Sequence, residues 1–183
     1  MDQVEVQTIG IISDTHIPTK AEKIPPKIFD VFSDASLIIH AGDLTQLSIL
    51  QELRRVAPVV AVCGNMDEFE VRAELPEINS VEIYDWKLGV KHDPGAFWGT
   101  WKMEKVAKQN NFSILVFGHT HRPAIKREQG IVFINPGSPT NPIPLPSQEV
   151  RRAFKNWKRE SAARDHYRLK EAYTGSFCSG QVR

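Results

Sequence analysis

Eight side chains of the kinds that do metal or hydrolytic chemistry stand out by falling in short polar clusters: Asp14 and His16, Asp43, Asn65 and Asp67, His92, and His119 with His121. Seven of them, Asp14, His16, Asp43, Asn65, His92, His119 and His121, offer oxygen or imidazole donors suited to a first-row divalent metal. That is more than one ion takes, since a single zinc site uses three or four protein ligands. Two ions sharing a bridging carboxylate use the whole set. Such a pair, about 3.5 to 4 Å apart, neutralises phosphoryl oxygens and makes a nucleophile from water near neutral pH. A phosphodiester, which is anionic and repels free hydroxide, needs both.

Taken one at a time these residues are ordinary. Asp14 and His16 fit a turn or a helix cap, and Asp43 and Asn65 follow glycines as turn residues do. Asp67 fits either a group that faces substrate or supports the metal ligands from behind, or a helix N-cap. His119 and His121 are the sharpest local signal, because two imidazoles projecting from one loop end have little structural reason to be there. His92, between Lys91 and Asp93, fits a surface loop when read alone, and His40 reads as a satisfied core histidine rather than a ligand.

The elements that must position these groups alternate. Residues 8–12 are a β-branched apolar run that ends at the first cluster, and Pro25 and Pro26 then open an apolar segment with proline at a plausible helix start. Residues 36–40 form a second run ending before Asp43, followed by amphipathic spacing at Leu47, Leu50, Leu53 and Val56. A third run, 58–62, ends before Asn65. Repeated strand, loop and helix predicts parallel strands covered by helices, with polar residues at the strand ends where such folds carry sites. Short strands are expected at 80–84 and 86–90, a helix at 100–109, a strand at 113–117 before His119, and a hairpin at 122–126 and 131–135 turning around Glu128-Gln129-Gly130.

Asp14-Thr15-His16, Gly42-Asp43, Gly64-Asn65-Met66-Asp67, His92, Gly118-His119-Thr120-His121 and Asn135-Pro136-Gly137-Ser138, in that order, resemble the calcineurin-like metallophosphoesterase superfamily. The likeness is greatest to its small bacterial and archaeal phosphodiesterase branch, to which the retromer scaffold subunit is related, and it spans about residues 7–144. It implies an α/β fold, a two-sheet β-sandwich flanked by helices. It also implies Asp14, His16, Asp43 and His121 around a first ion and Asp43, Asn65, His92 and His119 around a second, with Asp43 bridging. The implied activity is metal-dependent hydrolysis of phosphodiester bonds through a hydroxide bridging two divalent metals, Mn²⁺ foremost, with Ni²⁺, Fe or Zn²⁺ as alternatives. Asp43, Asn65, His92 and Asp67 are its expected catalytic residues, and the alternative is a retromer-like interaction scaffold with vestigial catalysis.

Two positions depart from that pattern. Many members carry His directly after the Asn of the Gly-Asn motif, where this chain has Met66, so the leaving-group proton is expected from solvent, from Asp67 or not at all. After residues 135–138 the family normally adds β-strands, whereas here a proline-rich stretch leads into a basic segment. Residues 147–172 hold eight Lys or Arg against four Asp or Glu, and Val150, Phe154 and Trp157 lie at helical spacing. The expected organisation is a phosphoesterase domain over 1–146 and a basic, helical tail over 147–183.

The bulk composition excludes little. The chain of 183 residues is 41% hydrophobic and 25% charged with a net charge of +1, which suits one globular domain and gives no global attraction to nucleic acid or anionic lipid. Cys63 and Cys178 match neither a zinc-finger spacing nor a disulfide framework. No basic-then-apolar leader opens the sequence and no run approaches the ~20 apolar residues of a membrane span. The expectation is a cytoplasmic protein acting on a small phosphodiester, without a membrane partner. A nucleic-acid anchor in the tail is the minor reading, and self-association is left open.

Overall fold

The computed structural model describes residues 7–143 and the backbone of 167–171. Three strands, β1 (Gln7–Ile12), β2 (Leu37–His40) and β3 (Val59–Ala61), run parallel, and each is followed by a helix: α1 (Pro26–Phe32), α2 (Ser48–Arg54) and α3 (Phe69–Glu74). Pro26 stands in the first turn of α1, where its missing N–H costs no hydrogen bond, and Ile28 and Phe32, one turn apart, bury the inner face. Ile49, Leu50 and Leu53 do the same for α2.

The second half builds another sheet from β4 (Ile78–Ile83), β5 (Trp86–Lys91), β6 (Ile114–Val116), β7 (Ala124–Glu128) and β8 (Ile131–Asn135), in the order β4-β5-β6-β8-β7. Its inner strands β5, β6 and β8 are parallel, and both edges are antiparallel. A 3₁₀ turn (Ala96–Trp98) and α4 (Thr100–Gln109) link β5 to β6. The β7–β8 hairpin closes through Gln129 and Gly130, with φ of 49° and 83°, the left-handed pair that suits strand twist.

The side-chain period of two sorts these strands into layers. Ile38 and Ile12 face the helices with Ile28, Phe32, Leu50 and Leu53, while Ile9, Ile11 and Ile39 face the second sheet, meeting Leu88, Val90, Val116, Val132 and Ile134. On the outer side of that sheet, Leu115, Ile131 and Phe133 meet Met103 and Ala107 of α4 and Phe112. The result is helices, sheet, sheet, helix, with the two sheets packed face to face, as the two-sheet sandwich expectation has it. Among the described residues no helix is long and apolar enough to cross a membrane.

The tail departs from its expected form. The helical spacing of Val150, Phe154 and Trp157 lies outside the described residues, but β9 (Tyr167–Glu171) is a strand and pairs in parallel with β1, giving the order β3-β2-β1-β9. The first sheet therefore gains a strand from beyond residue 146. An otherwise open β1 edge is a row of unpaired N–H and C=O groups, and strand pairing satisfies it more fully than a helix laid alongside.

Candidate metal centre

Every chemically active loop leaves the carboxyl end of a parallel strand. Asp14 and His16 follow β1, Asp43 follows β2, Asn65 and Asp67 follow β3, His92 follows β5, and His119 and His121 follow β6. Asp14, His16, Asp43, His119 and His121 all take positive φ, from 44° to 66°. Left-handed backbone costs a non-glycine residue roughly 1 kcal/mol or more, and persists only where its surroundings over-determine it. Backbone bonds supply part of that constraint: the Asp14 N–H donates to the Gly42 carbonyl and the His16 N–H to the Asp43 carbonyl, each at 3.0 Å.

These turns aim the side chains at one place. His121 donates its Nδ1–H to the Asn141 carbonyl at 2.8 Å, which directs Nε2 inward, 3.4 Å from Asp14 Oδ1 and 3.0 Å from His16 Nε2. His16 Nε2 lies 4.0 Å from Asp14 Oδ1 and 3.7 Å from Asp43 Oδ2. His92 donates its Nδ1–H to the Ala41 carbonyl at 2.8 Å, and its Nε2 stands 3.2 Å from Asp43 Oδ2 and 3.1 Å from Asn65 Oδ1. His119 Nδ1 reaches the same Asn65 oxygen at 3.0 Å. Two loci result, Asp14 with His16 and His121, and Asp14 with Asp43 and His92, the donor atoms of each lying within 4.8 Å of one another. Asn65 links His119 to the second. All seven residues singled out in the sequence are thus brought together.

The electrostatics favour a cation there. Burial pulls the His92 imidazole down, but its hydrogen bond to Asp43 and the charges of Asp43 and Asp14 outweigh it and leave the pKa raised. His121 is raised mainly by Asp14. Burial lowers His16, whose neighbouring carboxylates only partly compensate. Burial works against the charge on Asp43, yet the His92 hydrogen bond and field hold its pKa below the usual value. Buried carboxylates, that of Asp43 with its pKa held down, beside the His92 and His121 imidazoles whose outer N–H groups are tied to backbone carbonyls, are a donor set that fits divalent ions.

Close packing behind the donors leaves no room for a side chain. A Cβ on Gly64 would fall 2.2 Å from Asp43 Oδ1, and one on Gly118 would fall 2.6 Å from Asp14 Oδ2. The His119 N–H donates to both Asp14 oxygens at 3.0 and 3.1 Å, and Ser13 Oγ lies 2.5 Å from Oδ2. Below them Asn135 donates to the Gly118 carbonyl at 2.7 Å and accepts from the Gly137 N–H, while Ser138 donates to the Asp14 carbonyl and Thr140 to that of Thr15. Residues 135–138 thus support the Asp14 and His119 loops from beneath. Ser13, Thr140 and Asn141 carry no signal in the sequence, because what matters is a carbonyl or hydroxyl that a fold brings near.

The structure decides between the two readings of Asp67 and corrects that of His40. Asp67 is not a helix cap: the N-cap of α3 is Glu68, without a side-chain bond. Both Asp67 carboxylate oxygens instead accept backbone N–H groups, of Thr45 at 2.6 Å and of Gly64 at 2.7 Å, which braces two ligand loops from a buried position. His40 is only half satisfied, with Nε2 at 3.2 Å from Thr15 Oγ1 and no partner for Nδ1 among the described residues. His166 lies outside the described residues.

Comparison with known proteins places the fold in a family. A protein from Methanothermobacter thermautotrophicus named "probable metallophosphoesterase" is 44% identical over 73% of this chain and 78% of its own. A phosphodiesterase from Methanocaldococcus jannaschii is 29% identical over 70% of this chain and 82% of its own. The structure of Vps29 complexed with zinc from Entamoeba histolytica is 28% identical with a TM-score of 0.64, covering 74% of this chain and 76% of that one. The calcineurin-like phosphoesterase superfamily domain matches residues 8–152, a span that takes in every donor described above, and the chain belongs to that superfamily.

Proposed function

We propose that this chain hydrolyses phosphodiester bonds at a centre of two divalent cations, Mn²⁺ foremost, in the cytoplasm. The observation that carries the reading is the convergence of seven donors on two adjoining loci that share Asp14, Asn65 joining His119 to the second, with the outer nitrogens of His92 and His121 already committed to backbone carbonyls. Asp14, His16, Asp43 and His121 would hold one ion, and Asp43, Asn65, His92 and His119 the other. Two ions there supply neutralisation of the phosphoryl oxygens and a water acidic enough to ionise near neutral pH. The family, and a relative named phosphodiesterase, support the reaction class.

The protein's own groups position rather than transfer protons. Asp67 holds the loops of Thr45 and Gly64 at fixed spacing, and although burial raises its pKa, both of its oxygens are taken up by amide N–H donors, which leaves it a poor source of the leaving-group proton. Met66 has none to give. Leaving groups that need no protonation are therefore turned over fastest. The scaffold reading rests on likeness to Vps29, and clustered buried carboxylates are a burden that a pure docking surface gains nothing from.

Metal analysis joined to a panel of diesters and monoesters tests the proposal. Two equivalents of Mn²⁺ per chain and faster cleavage of bis(4-nitrophenyl) phosphate than of 4-nitrophenyl phosphate are expected, with Asp43→Asn lowering turnover about a hundredfold or more, since even outer partners of metal ligands are worth 10–100-fold. A loss under about tenfold, or a chain that takes up no metal, would overturn it.

A further inference from the structure

Phe97 stands out among the described side chains next to the donors. It is 70% exposed, yet its ring meets the His119 ring edge to face with centroids 5.3 Å apart. The segment that carries it is built to hold it out. Phe97 is the middle residue of the 3₁₀ turn, flanked by Gly95 and Gly99 with φ of 88° and 94°. The base of the turn lies beside the centre: Asp93 Oδ1 accepts the Gly95 N–H at 2.7 Å, and Asp93 Oδ2 stands 3.8 Å from His119 Nε2. Met66, 60% exposed, follows Asn65, the residue that joins His92 and His119, and its N–H donates to Asp43 Oδ1 at 2.8 Å. The rim beside Asn65 and His119 is thus apolar on residues whose backbones are fixed.

From this we infer that Phe97 is a specificity residue, an aromatic wall that receives a planar aromatic substituent of the substrate, such as an aryl or nucleobase-bearing group on the phosphorus. The inference rests on the proposed reaction at the same centre. An anion held between the two loci brings its substituents against whatever borders them, and on the His119 side that border is the exposed Phe97 ring. Aromatic rings pair with one another more favourably than with alkyl groups of similar reach, and an exposed ring has most to gain from being covered. Alkyl diesters would keep the metal contacts and lose this one.

The test uses full-length, Mn²⁺-loaded protein and two competitors that cannot be hydrolysed, phenylphosphonate and methylphosphonate, with binding read by calorimetry. Wild type is expected to bind phenylphosphonate about tenfold tighter than methylphosphonate. Phe97→Ala should weaken phenylphosphonate about fivefold to tenfold, leave methylphosphonate within about twofold, and leave the Mn²⁺ stoichiometry unchanged, while Phe97→Trp should restore the preference. Equal weakening of both ligands would mean that Phe97 acts through His119 on the metal centre, and overturns the assignment. So does a wild type that binds both alike, or binds neither. If the aryl preference and its loss in Phe97→Ala are found but no diester is cleaved, the reaction fails and the aromatic wall stands; diester cleavage without aryl preference has the opposite meaning.

Discussion

His40 ends β2 with its ring fully buried, and burial pushes its pKa down to about 4 from the ordinary 6.5, although the carboxylates of Asp14 and Asp43 pull the other way. The sign of the consequence follows from linkage. Above pH 6.5 folded and unfolded chains both hold this imidazole neutral, and its contribution to stability is intact. Between pH 6.5 and 4 only the unfolded chain takes up the proton, so stability falls with pH. By pH 5 the loss amounts to roughly 2 kcal/mol. In His40→Gln, which keeps a partner for Thr15 and never titrates, that part is absent. Urea unfolding of metal-free protein at pH 7 and pH 5 should show wild type losing about 2 kcal/mol more than the variant; equal losses would show that His40 titrates normally in the folded chain. At this scale the sequence was legible where chemistry is unusual for a loop. Paired imidazoles at His119 and His121 announce themselves, whereas the role of Asn141 comes from its carbonyl, which every residue has.

Elements deliver these groups because each parallel strand ends at the same edge and each loop turns sharply after it. Gly118, between β6 and His119, shows how tight the delivery is. An added Cβ would lie 2.6 Å from Asp14 Oδ2 and 3.0 Å from the Ala41 carbonyl, neither of which is a flexible chain end. Gly118→Ala must therefore displace the Asp14 carboxylate or the His119 loop while leaving both sheets intact. The expected outcome is Mn²⁺ affinity weaker by about tenfold to a hundredfold, with the helical and sheet signal by circular dichroism unchanged. Wild-type affinity in this variant would show that the loop yields without moving Asp14. The strand and helix pattern of the first half was readable because apolar runs and amphipathic spacing alternate cleanly. α3 was hinted at only by the N-cap alternative for Asp67: it has six residues, buries only Val71, and has no side-chain cap to mark its start. β9 escaped for a different reason, since Tyr167–Glu171 is polar and basic and only its pairing with β1, 160 positions away in register at Gln7 and Tyr167, makes it a strand.

In the whole molecule the centre lies where two separately wound sheets meet, with Asp14, His16, Asp43 and Asn65 from loops of the first and His92, His119 and His121 from loops of the second. An ion held by both groups joins the halves through bonds that unfolding must break. Binding to the folded chain alone stabilises by mass action, about 4 kcal/mol at a free metal concentration a thousand times the dissociation constant. For a chain of this size 1 kcal/mol moves the melting temperature roughly 2–4 °C, so saturating Mn²⁺ should raise it by about 10 °C over protein stripped with EDTA. Differential scanning calorimetry of wild type and Asp43→Asn, each with Mn²⁺ and with EDTA, separates this from general salt effects. The carboxylate proposed to bridge the two ions is gone in the variant, so its shift should shrink to a few degrees at most, while its metal-free form should melt within a few degrees of stripped wild type. A wild type that binds Mn²⁺ yet melts at one temperature in both solutions would mean that the donors come together only locally, without tying one sheet to the other.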